Sequence, residues 1–419
     1  MHHTCLVITS VAAVADDLVE LYKDLHAHPE LSFAEHRTAG IIAEHLSGLG
    51  LVVTTGVGVT GIAAVLRNGA GPTVMLRADM DALPVAEATG LDYASTARGT
   101  DPDGRDVPVM HACGHDMHVT ALLGATRILA EHRDDWSGTL VVVFQPAEES
   151  GGGAAAMIDD GLFSRVPRPD VVLGQHLAPV PAGTLGVHSG AAFASMDTLR
   201  VRMFGRGGHG SRPETTIDPI VMAASTIMRL QTIVSREVAA TETAVVTVGQ
   251  IHAGTTSNVI PDEVSLGLSI RSTTAAVRAR VLDAVNRIIR DEARASGSDH
   301  VPEIIHEEAV PPVINDPAAT TRVLAAFYER FDADRVFDPG AVTGSEDVGV
   351  FADHLGVPLV YWLFGGTDPA LFHAAAANGT TDRDIPTNHS PNFAPVIRPT
   401  LDTGISALVV AALDWLSPA

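Results

Sequence analysis

The sequence predicts an α/β protein with a smaller second domain inserted into the chain. In the first half, near-continuous valine and leucine runs alternate with helical patterns, as a sheet buried on both faces requires. From about residue 195 the strands instead alternate polar and apolar residues, and the order β-α-β-β-α-β fits a ferredoxin-like fold. The predicted main sheet is mixed and largely parallel, with helices on its faces.

The elements of the first half follow from local patterns. Residues 12–48 carry a helical spacing of leucine and isoleucine, and further helices are predicted at about 116–132 and at 151–161, where Gly161 ends the pattern. Short runs rich in β-branched residues predict strands at 51–55, 61–66, 73–79, 138–145 and 170–176.

The second half predicts the inserted domain and a return to the first. Strands are predicted in MDTLRVRMFG, TAVVTVGQIHAG, EVSLGLSIRS and VPEIIHEEAV, with a helix in AAVRARVLDAVNRIIRDEARAS. Asp218 as N-cap and Pro219 at the first helical position predict a helix that ends near Val238. VPLVYWLFGG then reads as a strand and LDTGISALVVAALDWL as a closing helix. The predicted division is 1–194 and 311–419 for the main domain and 195–310 for the insert.

Composition excludes several functional classes. With 50 acidic and 27 basic residues the net charge is −23, and no basic cluster suggests a nucleic-acid or anionic-membrane partner. Apolar runs stay far below the roughly 20 residues that span a bilayer. The N-terminus makes a poor signal peptide because no basic residue precedes its apolar patch. Two cysteines, Cys5 and Cys113, exclude a disulfide framework, and a cytoplasmic setting is expected.

Residues suited to metal binding or acid–base chemistry follow three of the predicted strands. In open α/β sheets, ligands bind beyond the carboxyl ends of the strands. Each such residue alone could simply mark where a strand reaches solvent, but three ends together with the segment HACGHD indicate a site. The residues are Asp79, Asp81, Glu148, Glu149, His176 and, in the loop PTNHSPNF, His389.

Cys113 within MHACGHDMH admits three interpretations. A disulfide would need Cys5, and a reducing compartment argues against that pairing. A nucleophile needs a thiolate beside a base, which His115 could supply. A metal ligand is favoured, because a cysteine hydrolase has no use for Glu148, Glu149 and further histidines at strand ends, whereas a dinuclear metal site does.

Several motifs in order resemble one family. They are LHAHPELSFAEHRTAG, LRADMDALPVAE, MHACGHDMHVTALLGA, FQPAEESGGGA, GGHGSRPE, NVIPDE and NHSPNF. They are similar to the aminoacylase-like dinuclear metallopeptidases, in the branch of hippurate hydrolases, bacterial N-acyl-amino-acid amidohydrolases and plant auxin-conjugate hydrolases. The resemblance runs from about residue 20 to the C-terminus. It implies a zinc-peptidase-like main domain and an insert that serves as lid and dimerisation domain.

The resemblance also implies residue roles. Glu148 matches the general base and acid, which activates a water that bridges the metals, and Asp81 matches an acid that orients a metal-bound histidine. Adjacent residues after a strand point apart, so one carboxylate can bind metal while Glu148 faces the water. The matching ligands of two divalent ions (zinc, manganese, nickel or cobalt) are Cys113, His115, Glu149, His176 and His389. The wider family has a histidine ligand in place of Asp79 and a bridging aspartate in place of Cys113, which leaves the exact roles of Asp79 and Asp81 open.

Three residues of the insert are candidates for substrate contacts. His209, among glycines in GRGGHGSRPE, reads from its local sequence as a solvated loop histidine, whereas the resemblance implies that it polarises the scissile carbonyl, often across a dimer. Asn258 and Arg271 are expected on adjacent strands, where they could hold a substrate carboxylate, and arginine suits a bidentate clamp. Arg271 could also simply cap a strand.

Two other features are expected to have no chemical role. GVGVTG at 56–61 fits a dinucleotide fingerprint, but the β-branched run IAAVLRN follows it where that fingerprint requires a helix, so a hairpin turn is predicted. The histidines of the first helical stretch, His26, His28, His36 and His45, are read mainly as surface or packing residues.

The sequence therefore predicts a metal-dependent amidohydrolase that cleaves N-acyl or N-aroyl amino acids to a carboxylic acid and a free amino acid. A dipeptidase or carboxypeptidase of the same fold is the first alternative. A metal-binding protein without turnover is a second alternative, and a thiol hydrolase that uses Cys113 and His115 is a third. A homo-dimer or higher homo-oligomer is expected by resemblance.

Overall fold

A computed structural model describes residues 2–416 of the chain, with side chains from residue 11 onward. The helices are α1 (His2–Ala27), α2 (His36–Leu46), α3 (His115–Glu131), α4 (Gly153–Asp159), α5 (Leu162–Arg165), α6 (Pro219–Thr232), α7 (Ala275–Ala295), α8 (Pro317–Arg330), α9 (Gly349–Leu355), α10 (Pro369–Asn378), α11 (Thr381–Asp384) and α12 (Ile397–Leu416). The strands are β1 (Val52–Val57), β2 (Gly61–Asn68), β3 (Thr73–Asp79), β4 (Arg98–Thr100), β5 (Asp106–Pro108), β6 (Gly138–Gln145), β7 (Val171–Pro181), β8 (Leu185–Gly186), β9 (Gly190–Phe193), β10 (Ser195–Phe204), β11 (Gly208–His209), β12 (Ala244–Ala253), β13 (Val259–Ile260), β14 (Glu263–Ser272), β15 (Glu303–Val310), β16 (Val313–Asn315), β17 (Val336–Phe337) and β18 (Leu359–Thr367).

The chain divides into two compact units. The main unit comprises the residues up to 190, residues 314–340 and the residues from 347 onward, and the inserted unit comprises 191–313 and 341–346. The sequence-based division placed the insert at 195–310. It did not include the short second segment at 341–346, because six residues carry no periodicity that could assign them to a domain.

The main unit is built on an eight-stranded sheet in the order β1-β2-β6-β3-β7-β18-β8-β17. Its centre is parallel, since β3 pairs in parallel with both β6 and β7, and β7 pairs in parallel with β18. On one side, β2 pairs antiparallel with β6. The prediction of a mixed, largely parallel sheet is confirmed, and the Val/Leu runs of β6 and β18 are buried along most of their length.

The GVGVTG segment forms the turn of a hairpin. β1 pairs antiparallel with β2, with Val57 opposite Gly61, so no helix follows the glycines and the hairpin prediction is confirmed. Gly58 has φ +64°, and a Cβ atom there would lie 2.6 Å from the backbone nitrogen of Met157. Glycine is needed at this position both for its backbone conformation and for the close approach of α4.

The inserted unit has the predicted ferredoxin-like fold. Its four-stranded sheet has the order β12-β14-β10-β15, with every neighbouring pair antiparallel. The side chain of Asp218 accepts hydrogen bonds from the backbone N–H groups of Ile220 and Val221, and so caps α6 as predicted. The helix ends at Thr232 and a wider π-helical turn continues to Glu237, which explains the predicted end near Val238.

Among the described residues, no helix combines the length and apolar character that crossing a bilayer requires.

Candidate metal centre

The predicted ligand residues of the main unit lie together at one edge of the parallel sheet. The register pairs Asp79, the last residue of β3, with Gln145, the last residue of β6, and His176 lies on the neighbouring strand β7. Parallel strands in register bring their carboxyl ends to the same edge. The turn that follows β6 carries Glu148 and Glu149 to this edge.

Five donor groups converge there. The Cys113 sulfur lies 3.6 Å from His176 Nε2, and Glu149 lies 3.7 Å from His115 Nε2 through Oε1 and 3.3 Å from His389 Nε2 through Oε2. Cys113 belongs to two groups whose ligand atoms all lie within 4.8 Å of one another, one with His115 and His176, the other with Glu149 and His389. Two adjacent groups that share one thiol are the arrangement expected for two neighbouring cations.

Backbone geometry sets the direction of the donors. Gly114 has φ +83° and precedes α3, so the chain turns sharply between Cys113 in the loop and His115 at the first residue of the helix. His389 has φ +69°, unusual for a residue with a side chain, and its N–H donates to the Ala112 carbonyl at 2.8 Å. This bond ties the His389 loop directly to the Cys113 loop.

His176 and His115 present the same ring nitrogen, Nε2, to the other donors at this edge. His176 Nδ1 lies 2.7 Å from the Leu177 carbonyl, and His115 Nδ1 lies 2.9 Å from the Asp81 carbonyl. A carbonyl only accepts, so Nδ1 carries a proton in each ring, and Nε2 is the nitrogen that faces the other donors. A metal ion bound at Nε2 would leave the Nδ1 hydrogen bond of each ring intact.

Two buried atoms at the centre support a metal site. Among the described residues, His115 Nε2 and Glu149 Oε1 have no hydrogen-bonding partner. Buried polar atoms are rarely left unsatisfied, because each costs ~1–3 kcal/mol. A cation between them would satisfy both, so the thiol, imidazole and carboxylate donors present fit divalent metal ions.

The electrostatics of the centre favour added positive charge. Burial raises the pKa of the Cys113 thiol well above its usual value, and the carboxylates of Glu149 and Glu148 raise it further. The thiol is therefore protonated in the absence of a cation, which argues against a thiolate nucleophile. Burial disfavours the charged form of His115, but Asp79, Asp81 and Glu149 outweigh burial and raise its pKa to about 10.

Asp81 supports both His115 and the turn that carries the two glutamates. Its carboxylate accepts the backbone N–H groups of Glu148 at 3.1 Å and Glu149 at 3.0 Å, and the Ser32 hydroxyl at 2.6 Å. Asp81 Oδ1 also lies 3.3 Å from His115 Nδ1. The expected orientation of a histidine by Asp81 therefore has a geometric basis, and the support of the turn is an additional role that the sequence did not suggest.

Asp79 and His118 support each other and a backbone group. Asp79 lies 2.5 Å from His118 Nδ1 through Oδ1 and accepts from Arg77 at 2.6 Å through Oδ2. His118 Nε2 accepts the Leu177 N–H at 2.7 Å, so both ring nitrogens are already used. Burial lowers the pKa of His118 to about 4, so the ring is neutral. His118, although it lies in MHACGHDMH, is therefore not a proposed metal ligand; its ring holds Asp79 and the Leu177 N–H.

His26 departs from the prediction of a surface or packing residue. Its ring is fully buried, with Nδ1 2.7 Å from Asp116 Oδ2 and Nε2 3.1 Å from Glu87 Oε1. Burial opposes protonation, but the two carboxylates outweigh it and raise the pKa of His26 to about 10. The result is a buried imidazolium between two carboxylates, one of which follows His115 directly in the chain.

The His26→Gln variant is expected to lose stability in a pH-dependent way. The folded pKa lies above the unfolded value, so the stabilisation is fully present below about pH 6.5 and is lost as the pH rises towards 10. Removing one partner of a buried ion pair costs ~3–5 kcal/mol. Urea unfolding from pH 6 to 10 should therefore show the gap between wild type and variant narrowing as the pH rises.

His28, two residues further along the chain, provides the control because its side chain is 54% exposed. His28→Gln should leave the free energy of unfolding nearly unchanged at every pH. A gap between wild type and His26→Gln that stayed constant across the range would show that His26 is neutral.

Of the three substrate-contact candidates in the inserted unit, His209 and Asn258 lie close together and Arg271 does not. His209 on β11 pairs with Val259 on β13, and the Gly210 N–H donates to the Asn258 carbonyl at 2.8 Å. Arg271 lies apart from them on β14, where it donates to the Thr343 carbonyl at 3.0 Å. The expectation that Asn258 and Arg271 occupy adjacent strands was wrong, since Asn258 lies in the turn before β13.

The glycines around His209 allow close packing of its loop. A Cβ atom at Gly207 would lie 2.5 Å from Asp262 Oδ1, and one at Gly205 would lie 2.2 Å from the Ile217 carbonyl. The Ser211 N–H lies 3.1 Å from His209 Nδ1 and donates to it, so a neutral ring carries its proton on Nε2. His209 is exposed, and this tautomer can donate a hydrogen bond to an acceptor outside the unit.

Comparison with known proteins agrees with the motifs. Residues 75–388 match the description Peptidase family M20/M25/M40. The chain belongs to this family. The resemblance inferred from the motifs is confirmed, and as an M20 peptidase family member the protein is a hydrolase that acts on amide bonds.

Relatives of this M20 protein include both amidohydrolases and peptidases. It is 36% identical over 350 residues to a hippurate hydrolase of Campylobacter jejuni, and the matched region covers 83% of this chain and 88% of the hydrolase. It is 34% identical over 360 residues to thermostable carboxypeptidase 1 of Saccharolobus solfataricus, and this match covers 85% of this chain and 87% of the carboxypeptidase. Among solved structures, this chain superposes on the YXEP protein of Bacillus subtilis with a TM-score of 0.76 and 27% sequence identity. That protein is described as a dinuclear metal binding peptidase from the M20 family, and the superposition covers 97% of this chain and 100% of the YXEP chain.

The position of Cys5 lies outside the described side chains, and Cys113 is a free thiol.

Proposed function

We propose that the protein is a metal-dependent amidohydrolase that cleaves the amide bond of N-acyl or N-aroyl amino acids, releasing a carboxylic acid and a free amino acid. One observation carries the proposal: Glu148 lies beside Glu149 at the donor cluster, with its Oε2 3.9 Å from His115 Nε2. A purely binding site has no use for such a second carboxylate. The hippurate hydrolase relative supports the substrate class.

Cys113, His115, Glu149, His176 and His389 would hold two divalent ions. When bound, the ions would polarise the substrate carbonyl and lower the pKa of water at the site. The thiol and imidazole donors favour softer ions such as zinc, nickel or cobalt, and manganese is implied by the resemblance. Burial lowers the pKa of His176 to about 4, so its ring is neutral and available as a ligand.

Glu148 moves the proton of the reaction. It accepts a proton from the water whose oxygen bonds to the amide carbonyl carbon, and it delivers that proton to the amine nitrogen as the carbon–nitrogen bond breaks. Asp81 keeps Glu148 in place through the backbone N–H of the turn. In the inserted unit, His209 donates to the carbonyl oxygen, and Asn258 and Arg271 are candidates to bind the substrate carboxylate.

A dipeptidase or carboxypeptidase activity is the second candidate, favoured by the thermostable carboxypeptidase relatives. The two activities differ in whether the enzyme must accommodate a free amine next to the scissile bond. The hippurate hydrolase and N-acetyl-L-cysteine deacetylase relatives place the N-acyl substrate first.

The test compares hydrolysis of N-acetyl-methionine, hippurate and an unblocked dipeptide before and after chelation, with zinc, manganese, nickel or cobalt added back. We expect turnover of the N-blocked substrates to disappear with the metal and to return with it. Activity that survives chelation would support the thiol hydrolase with Cys113 and His115 instead. Preference for the unblocked dipeptide would establish the peptidase alternative.

Four other expectations stay predictions. A homo-dimer is supported by exposed apolar side chains on α6 of the inserted unit, where Val221 and Met228 are 65% and 72% exposed. A cytoplasmic location and a small-molecule substrate as the main partner follow from composition and resemblance. No nucleic-acid or membrane partner is expected.

A further inference from the structure

The turn that carries Glu148 is held by two buried carboxylates. Three consecutive backbone N–H groups of this turn point at them: that of Ala147 donates to Glu35 at 2.9 Å, and those of Glu148 and Glu149 donate to Asp81. Asp81 is part of the predicted site, whereas Glu35 was assigned no role. The two carboxylates together determine the direction in which the glutamates leave the backbone.

Ala147 needs this support because its backbone conformation is unfavourable. It has φ +52°, in the left-handed region that residues with a side chain rarely adopt. Such a residue keeps its conformation only when its surroundings impose it. Ala147 is fully buried, and its carbonyl also accepts the Gly153 N–H at 3.1 Å. The conformation of Ala147 sets where Glu148, the next residue, projects.

Both carboxylate oxygens of Glu35 accept hydrogen bonds. It is fully buried, and its Oε1 accepts the N–H groups of Phe33 and Ala147, both at 2.9 Å. Its Oε2 accepts the Thr60 hydroxyl at 2.5 Å. Burial and the nearby Asp81 raise the pKa of Glu35 to about 7, so this carboxylate is costly to keep inside the protein. A buried acid that is not a donor of the metal cluster calls for a reason of its own.

Thr60 connects Glu35 to the glycine hairpin turn. It is the fifth residue of GVGVTG, and the same turn packs against α4 through Gly58, whose N–H donates to Asp160 Oδ2 at 3.2 Å. Helix α4 begins at Gly153, a few residues after Glu149. The hairpin turn is therefore connected to the Glu148 turn in two ways, through Thr60 and Glu35 and through α4.

We propose that Glu35, supported by Thr60 of the GVGVTG turn, is a positioning residue that holds Ala147 in its left-handed conformation and so aims Glu148. This proposal deepens the proposed function, since it rests on Glu148 as the proton carrier. It gives a role to two sequence motifs, LSFAEH and GVGVTG, which the donor cluster does not use.

Glu35→Leu removes the acceptor, whereas Glu35→Gln keeps one. In Glu35→Gln the amide oxygen can still accept from Phe33 and Ala147, and the amide NH₂ can donate to the oxygen of Thr60. We expect Glu35→Leu to lower kcat about 10- to 100-fold with KM within about threefold, the loss expected when a proton-transferring group stays present but is misplaced. Glu35→Gln should recover most of that loss, and both variants should bind wild-type amounts of metal.

A second rescue tests the backbone argument. Ala147→Gly introduced into Glu35→Leu should raise kcat about five- to tenfold, because glycine adopts a positive φ without the penalty that alanine carries. The reference for this comparison is Ala147→Gly alone. If Glu35→Leu does not fold, Glu35→Asp, which withdraws the carboxylate by one methylene, is measured in the same way.

Glu30→Leu is the matched control. Glu30 lies on the same segment, and its carboxylate also accepts two backbone N–H groups, from Arg37 at 2.9 Å and Thr38 at 2.8 Å. Within the described part of the chain, this carboxylate makes no hydrogen bond to the Glu148 turn. Glu30→Leu should lower the melting temperature and leave kcat unchanged. If Glu35→Leu behaves like Glu30→Leu, with a lower melting temperature and normal kcat, Glu35 is structural only and the proposal is wrong.

The outcomes also separate this proposal from the proposed function. If wild type hydrolyses no N-blocked or unblocked substrate, or if Glu148→Gln is fully active, the assignment of Glu148 fails whatever Glu35 does. If wild type is active, Glu148→Gln is inactive and Glu35→Leu is normal, only the positioning role fails.

Discussion

The Glu148→Gln variant is expected to lose about 10²- to 10⁴-fold in kcat, the usual contribution of a general acid–base group. Glutamine keeps the size of the side chain and its hydrogen-bonding oxygen but cannot take up the proton from water. The backbone N–H of residue 148 still donates to Asp81, so the turn should keep its shape. The measurement is steady-state hydrolysis of hippurate, with metal content determined on the same preparation.

Metal content distinguishes Glu148 from its neighbour. Glu148→Gln should retain both ions, because Glu148 is not among the five proposed ligands. Glu149→Gln should lose metal, since Glu149 lies near both His115 and His389. Near-normal turnover by Glu148→Gln would remove Glu148 from its proposed role, and a loss of metal from this variant would mean that it is a ligand.

Cys113→Ala is expected to abolish activity by releasing metal. Cys113 is shared by both groups of donor atoms, so its removal weakens both sites at once. Even residues that only orient a ligand commonly cost 10- to 100-fold in metal affinity when removed, and a shared ligand should cost at least that. Elemental analysis of the purified variant, grown with trace metals, should find substantially less than the two ions per chain expected for wild type.

Cys113→Asp separates the ligand role from that of a nucleophile. In the wider family that the motifs resemble, an aspartate stands in place of Cys113, and a carboxylate can likewise be shared by two ions. We expect Cys113→Asp to recover metal binding and part of the activity. A nucleophilic cysteine would leave Cys113→Asp as inactive as Cys113→Ala while both kept their metal.

The proposed metal donors could be found in the sequence because most of them follow elements with strong local patterns. The Val/Leu run of β3 predicts residues 73–79, the bounds that the structure has, and the run of β6 predicts residues 138–145 equally well. Buried parallel strands bring their ends to one edge, so the residues after them could be expected to meet. The resemblance carried by the motifs then proposed which of these residues bind metal.

The supporting contacts were not accessible in the same way. His26 and Asp116 are 90 residues apart, and Glu35 and Ala147 are 112 apart. No periodicity relates positions at such separations, and a histidine on an apolar helix face reads as packing. One signal was present: LSFAEH belongs to the motifs that resemble the family, although its acid follows no strand end. The short segment at 341–346 likewise joins the inserted unit without any local pattern.

The amino-acid sequence alone determined the α/β class and the ferredoxin-like insert, because hydrophobic periodicity is a local property of the chain. Its motifs also carry the resemblance from which the five donors are proposed. Tertiary structure decided which acids are held by other protein groups. Asp79 is occupied by Arg77 and His118, and Asp81 by the Glu148 turn and Ser32. Whether a carboxylate binds a cation, carries a proton or holds a backbone depends on which donors lie within about 3 Å of its oxygens, and only the folded chain sets those distances.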